Sequence, residues 1–170
     1  MKIFVSLSSP ELVDEGFTGH RGVYVFVTPV EASIPRILDI AYSLNVRPEE
    51  SKLHVTVMSS EKAPRNLPHV MPNQVLRSLI DKIEMFDGHD GRTYLVAQLM
   101  SDDLQALHRT WARAGAVHMF KPYSPHITLW AGVTRTPELE RRIDRVNASL
   151  NAKPAFVYLS GETATDLKDD

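Results

Sequence analysis

His54-Val55-Thr56-Val57 and His126-Ile127-Thr128-Leu129 are one phrase written twice, and each copy closes a stretch with the same order of patterns. Sliding one half past the other by 70 positions sets Tyr24 on Tyr94, Ile34 on Leu104, Ile37 on Leu107 and Ala41 on Trp111. An offset of 72 sets His54 on His126 and Thr56 on Thr128, so two extra residues stand between helix and motif in the second copy. Both copies are predicted as strand, helix, strand: residues 23–28, 31–45 and 52–59, then 93–100, 101–115 and 124–130. The pseudo-repeats span about 22–60 and 92–131. A pseudo-two-fold axis between such units carries equivalent side chains to one shared cleft.

In an extended strand, residues two apart point to the same face. Each phrase therefore sets an imidazole beside a hydroxyl, while Val55 and Val57, or Ile127 and Leu129, face a core. A third histidine, His108, also has a threonine two places on, at Thr110. It sits where Leu104, Leu107 and Trp111 recur at helical spacing behind a Ser-Asp-Asp start, which suits a capped helix. Residues two apart on a helix diverge by about 200° and cannot serve one site. His108 is expected to lie outside the group formed by the other two.

Composition narrows the function. A chain of 170 residues, 43% of them hydrophobic, is expected to form a single domain over residues 1–170. No stretch approaches the roughly 18 apolar residues of a membrane span, and residues 3–7 are too short for a secretory core, so a cytoplasmic setting is expected. There is no cysteine, hence no disulfide and no thiolate metal site. A net charge of −2 argues against broad capture of long nucleic acid, whereas a compact anion needs only a local positive pocket. The oligomeric state is not legible.

Residues 61–73 hold three prolines and read as a loop. Residues 74–86 fit a helix through Val75, Leu79, Ile83 and Phe86, yet Ile83 and Met85 also alternate as in a strand. The turn at residues 87–91 would make a hairpin of 80–86 with 93–99. Residues 136–151 suit a helix with Pro137 in its first turn; residues 155–160 suit a last strand, and 166–170 a polar tail.

Two histidines and two hydroxyls around one phosphodiester supply what its cleavage needs. One imidazole takes a proton from the nucleophile and the other gives one to the leaving oxygen. The hydroxyls donate to the non-bridging oxygens as charge builds. Such a set needs neither metal nor cofactor. A metal site drawn from His54, His69, His89 and His126 is the rival, but no metal-ligand spacing supports it.

Paired His-x-Thr-hydrophobic motifs about 70 residues apart resemble the two-histidine phosphoesterase superfamily, whose members include RNA 2′,3′-cyclic phosphodiesterases. The resemblance implies an α+β, bilobal fold: duplicated strand-helix-strand halves with antiparallel sheets around a central cleft. It also implies metal-independent catalysis by His54, Thr56, His126 and Thr128. Within that superfamily the chain looks most like the phage anti-CBASS phosphodiesterases, which degrade cyclic oligonucleotide signals of bacterial defence. Three positions carry that likeness further. Tyr24 in Gly22-Val23-Tyr24 matches a base-contacting tyrosine, and Phe86 stands where the family normally has a base-stacking tryptophan. Glu162, after Leu159-Ser160-Gly161, matches a base-reading acid. The implied partner is a cyclic di- or oligonucleotide such as cyclic GMP-AMP. RNA 2′,3′-cyclic phosphate cleavage and non-catalytic nucleotide binding are the alternatives.

Overall fold

A computed structural model describes residues 22–166. Residues 3–7 and the tail beyond residue 166 lie outside the described residues. The chain runs through β1 (Val23–Pro29), α1 (Ile34–Ser43), β2 (Val55–Ser60), β3 (Leu76–Asp87), β4 (Thr93–Met100), α2 (Asp102–Arg113), β5 (His126–Ala131), α3 (Pro137–Ala152) and β6 (Ala155–Asp166). Single 3-10 turns precede α1 and β2. The order strand, helix, strand occurs in both motif-bearing stretches. Among the described residues no helix is long and apolar enough to cross a membrane.

All strand pairs are antiparallel, and the six strands close into one barrel in the order β1-β2-β5-β4-β3-β6. The antiparallel pairing is as the resemblance implies, with one closed sheet in place of several sheets. The cause is β6, which continues six residues past the predicted end and pairs with both β1 and β3. Gly161, at φ +68, lets the strand bulge and go on past residue 160.

The period-2 pattern builds the core. Val23, Val25 and Val27 of β1, Val55 and Val57 of β2, and Ile127 and Leu129 of β5 are each at most 1% exposed, and they cluster with Ile37 of α1, Leu104 and Trp111 of α2 and Ile143 of α3. Burying each such side chain contributes about 1.5–3 kcal/mol. Helix α2 is capped by Ser101, whose hydroxyl accepts from the Leu104 amide at 3.2 Å, and it buries Leu104, Leu107 and Trp111. Thr136 caps α3 in the same way at the Leu139 amide.

The ambiguous segment is strand β3. The β3–β4 register slips between Ile80 and Lys82, so Ile80 and Ile83, three apart, both face the core. That bulge imprints helical spacing on a strand sequence. Asn147 of α3 stitches the site: its Oδ1 accepts from the Ile83 amide at 2.7 Å and its Nδ2 donates to the Ile83 carbonyl at 2.9 Å. The hairpin of β3 with β4 forms as expected, with Phe86 beside Tyr94 and Ile80 beside Leu99.

Candidate active site

Where β2 meets β5, Val55 pairs with Ile127, and this is the one register pair joining the two strands. One step to either side of an antiparallel pair, side chains turn to the opposite face together. His54 therefore lies opposite Thr128, and Thr56 opposite His126. The four polar residues of the two phrases share one face, with the two valines, Ile127 and Leu129 locked beneath in the core.

Each imidazole is held by a carbonyl two residues before it. His54 Nδ1 lies 2.8 Å from the Lys52 carbonyl oxygen, and His126 Nδ1 lies 2.9 Å from that of Ser124. A carbonyl only accepts, so each Nδ1 carries the proton of that bond. The Nε2 atoms are left to do chemistry. Tyr24 Oη sits 2.9 Å from both His54 Nε2 and Thr56 Oγ1, tying the first pair together. Burial raises the Tyr24 pKa above its ordinary value, with the Thr56 bond opposing, so the phenol stays protonated. Its ring packs 5.7 Å from Phe26, and its hydroxyl is committed to the first motif.

His126 has a different environment. Burial is the main cause that holds its pKa below the ordinary imidazole value; His54 adds to the fall, while the Ser124 carbonyl and the Glu84 charge oppose it. Phe86 presents its ring edge-on to His126 at 5.4 Å and stacks on Tyr94 at 5.5 Å and 17°. The half-buried Phe86 thus forms a flat wall beside the second motif.

Glu162 is corrected. The bulge at Gly161 turns it inward, where it is 3% exposed. Oε1 accepts from Trp111 Nε1 at 2.9 Å and Oε2 from the Met71 amide at 2.8 Å. Both oxygens are engaged inside the protein, so this carboxylate is a clamp between α2, β6 and the proline-bearing loop, not a reader of a base edge.

His108 lies behind β2 rather than on the shared face. Its Nδ1 is 2.8 Å from the Val57 carbonyl oxygen, and its ring stacks on Tyr123 at 4.0 Å and 5°. Tyr123 in turn donates to the Thr56 carbonyl at 3.2 Å. His118 was not anticipated, because nothing in the loop before residue 123 marks it. Its Nδ1 accepts from the Ser59 amide at 3.1 Å. Burial pushes its pKa down to about 4, helped by His108, His126 and Lys121. Both conditions keep it neutral. Among the described residues, no three His, Asp or Glu side chains are grouped so as to hold a metal ion.

A family model described as anti-CBASS protein Acb1 matches residues 21–169. The anti-CBASS protein Acb1 of Salmonella phage S16 is 34% identical over 113 residues, covering 64% of this chain and 70% of that protein. Its namesake in Vibrio phage KVP40 is 27% identical over 115 residues, covering 66% and 74%. That of Escherichia phage RB16 is 31% identical over 131 residues, covering 76% and 70%. Among solved structures, Kluyveromyces marxianus Usb1 is similar at a TM-score of 0.45 and 9% identity, over 88% of this chain and 99% of that one. A likeness of that size adds no weight to any reading of the site.

Proposed function

Because the chain belongs to the anti-CBASS protein Acb1 family, we propose that it counters the CBASS antiphage defence by opening cyclic di- or oligonucleotide second messengers, such as cyclic GMP-AMP. In this reading it is a phosphodiesterase built from two related strand-helix-strand halves, each supplying one imidazole and one hydroxyl. It acts in the cytoplasm of a phage-infected bacterium. The observation that carries the reading is the Val55–Ile127 pairing, which turns both His-Thr phrases to one face.

His126 is the base. Burial favours its neutral form, and the proton on Nδ1 leaves a lone pair on Nε2. Nε2 takes the proton from the nucleophile, either water or the ribose 2′-hydroxyl. The nucleophilic oxygen forms its bond to phosphorus as the bond to the leaving ribose oxygen breaks, and the electron pair departs with that oxygen. His54 works as its imidazolium: with protons on both ring nitrogens it gives the one on Nε2 to that oxygen, with Tyr24 holding the ring until substrate arrives. Thr56 and Thr128 donate to the non-bridging oxygens, where charge is greatest in the transition state. A base stacks on Phe86, a contact that contributes about 1–3 kcal/mol.

The test is chromatography of products from a panel of cyclic dinucleotides and RNA 2′,3′-cyclic phosphates, each with and without EDTA. Cleavage of cyclic dinucleotides at an unchanged rate in EDTA is expected. Cleavage of the RNA termini alone would move the substrate to that class, and loss of activity in EDTA would overturn the metal-free chemistry.

A further inference from the structure

Beside His126 runs a line of side chains that the reaction above does not use. Gln98 of β4 is its register partner. Gln98 Nε2 donates to Glu84 Oε1 at 2.7 Å, and Gln98 Oε1 accepts from the Ser124 hydroxyl at 2.9 Å. The other oxygen of Glu84 meets Lys82 Nζ at 2.6 Å. The line ends at Ser124, whose carbonyl holds His126 Nδ1. The adjoining Pro125 carbonyl accepts from the Leu99 amide at 2.9 Å, which pins the same segment to β4.

The direction of these bonds is fixed by chemistry. A carboxylate only accepts, so the Gln98 amide must turn its NH₂ to Glu84 and its oxygen to Ser124. One orientation of Gln98 satisfies both neighbours, and it fixes the Ser124 rotamer. His54 is held otherwise, by the Lys52 carbonyl and the Tyr24 hydroxyl. The two histidines therefore share a motif and a carbonyl at Nδ1, but the Gln98–Glu84 line stands behind His126, and it is the Tyr24 hydroxyl that meets His54 Nε2.

We propose that Lys82, Glu84, Gln98 and Ser124 form a positioning relay for His126. It keeps the Nδ1–H tautomer and ring orientation, and it brings a carboxylate near enough to favour the imidazolium formed when Nε2 takes a proton. This rests on reading His126 as the base of the proposed reaction. The charged and titratable groups around that ring come from three places. Glu84, paired with Lys82, acts on it from β3, and His54 from the start of β2; His118, on the loop before β5, is held neutral and adds no charge. Glu84 offsets the cations in that set.

Glu84→Gln removes the charge and keeps an acceptor for Gln98, whereas Ser124→Ala cuts the last link. Nitrogen-15 NMR of the His126 ring, without substrate, reads tautomer and titration directly. Glu84→Gln should move that titration to lower pH, and Ser124→Ala should admit the Nε2–H tautomer. With a cleaved cyclic dinucleotide, Glu84→Gln should lower kcat about fivefold, by weakening the support of a working imidazole, and leave KM within about twofold. The acidic limb of the kcat profile should follow the NMR titration downward. An unchanged His126 titration in Glu84→Gln would overturn the relay, as would an unchanged tautomer in Ser124→Ala. Failure to cleave any cyclic nucleotide, with the ring responding as expected, would instead remove the proposed reaction and leave the relay standing.

Discussion

Tyr24, His54 and Thr56 share one hydrogen-bonded chain, so a change at any of them is felt at the other two. Thr56 has a second duty that Thr128 lacks among the contacts above, because its hydroxyl also holds Tyr24. Thr56→Val should therefore slow cleavage more than Thr128→Val, with each in the range of about 10- to 1000-fold on kcat for the loss of one transition-state donor. His54→Ala and His126→Ala should each cost about 1000-fold or more while leaving the circular dichroism spectrum unchanged. Equal rates for either histidine variant and the parent protein would remove both from the chemistry. The pH dependence carries its own sign. His126 acts when it is neutral, and its pKa is depressed mainly by burial. Activity should rise with pH along an acidic limb placed below the ordinary imidazole range, as read from kcat/KM profiles. Phe86→Ala should raise KM with little change in kcat, and Phe86→Trp should preserve cleavage; a kcat loss alone in Phe86→Ala would deny it a stacking role.

At the scale of elements, the two motif strands and both helices of the motif-bearing stretches were legible because each has one clean period. Ile34, Ile37 and Ala41 recur as a helix requires, and Val23, Val25 and Val27 alternate as a strand requires. Where the sequence misled, a bulge had changed the phase. In β3 the slip after Ile80 writes a three-residue spacing into a strand, and in β6 Gly161 moves the inward set from Leu159 to Glu162 and Ala164. No pattern of residue types marks such a slip; the resemblance matches Glu162 to a base-reading acid, and the bulge leaves it buried against Trp111 and the Met71 amide. The support behind His126 was hidden for another reason: Gln98, Glu84 and Ser124 become neighbours only through the β3–β4–β5 register. Glu162→Gln tests the clamp. It sets an NH₂ group against a donor, at Trp111 or at the Met71 amide, and should cost about 1–3 kcal/mol in denaturant unfolding. Cleavage per folded molecule should stay the same for every nucleobase. A base-dependent change in cleavage at unaltered stability would restore Glu162 to the binding site.

For the molecule as a whole, acid sensitivity should be set partly by His118. Its folded pKa is about 4 against an ordinary value of 6.5, so between those values the unfolded chain binds the extra proton. Stability from this residue is fully present above about pH 6.5 and is lost as the pH falls toward 4. His118→Gln should flatten the fall in melting temperature across that window, and an unaltered slope would exclude His118 as its source. The single-pair seam between β2 and β5 contrasts with the five register pairs between β3 and β6. The contacts that bring the chemistry together are thus few, and most of the closure is carried elsewhere. Strand β6 is the last element among the described residues, yet it joins β1 to β3. A premature stop codon just before residue 155 would spare every motif in the gene and delete the stave that closes the ring. Such an allele would still be recognised by its two signatures in a genome, but under the proposed function a phage encoding it should plaque on a CBASS-defended host as if it had no such gene.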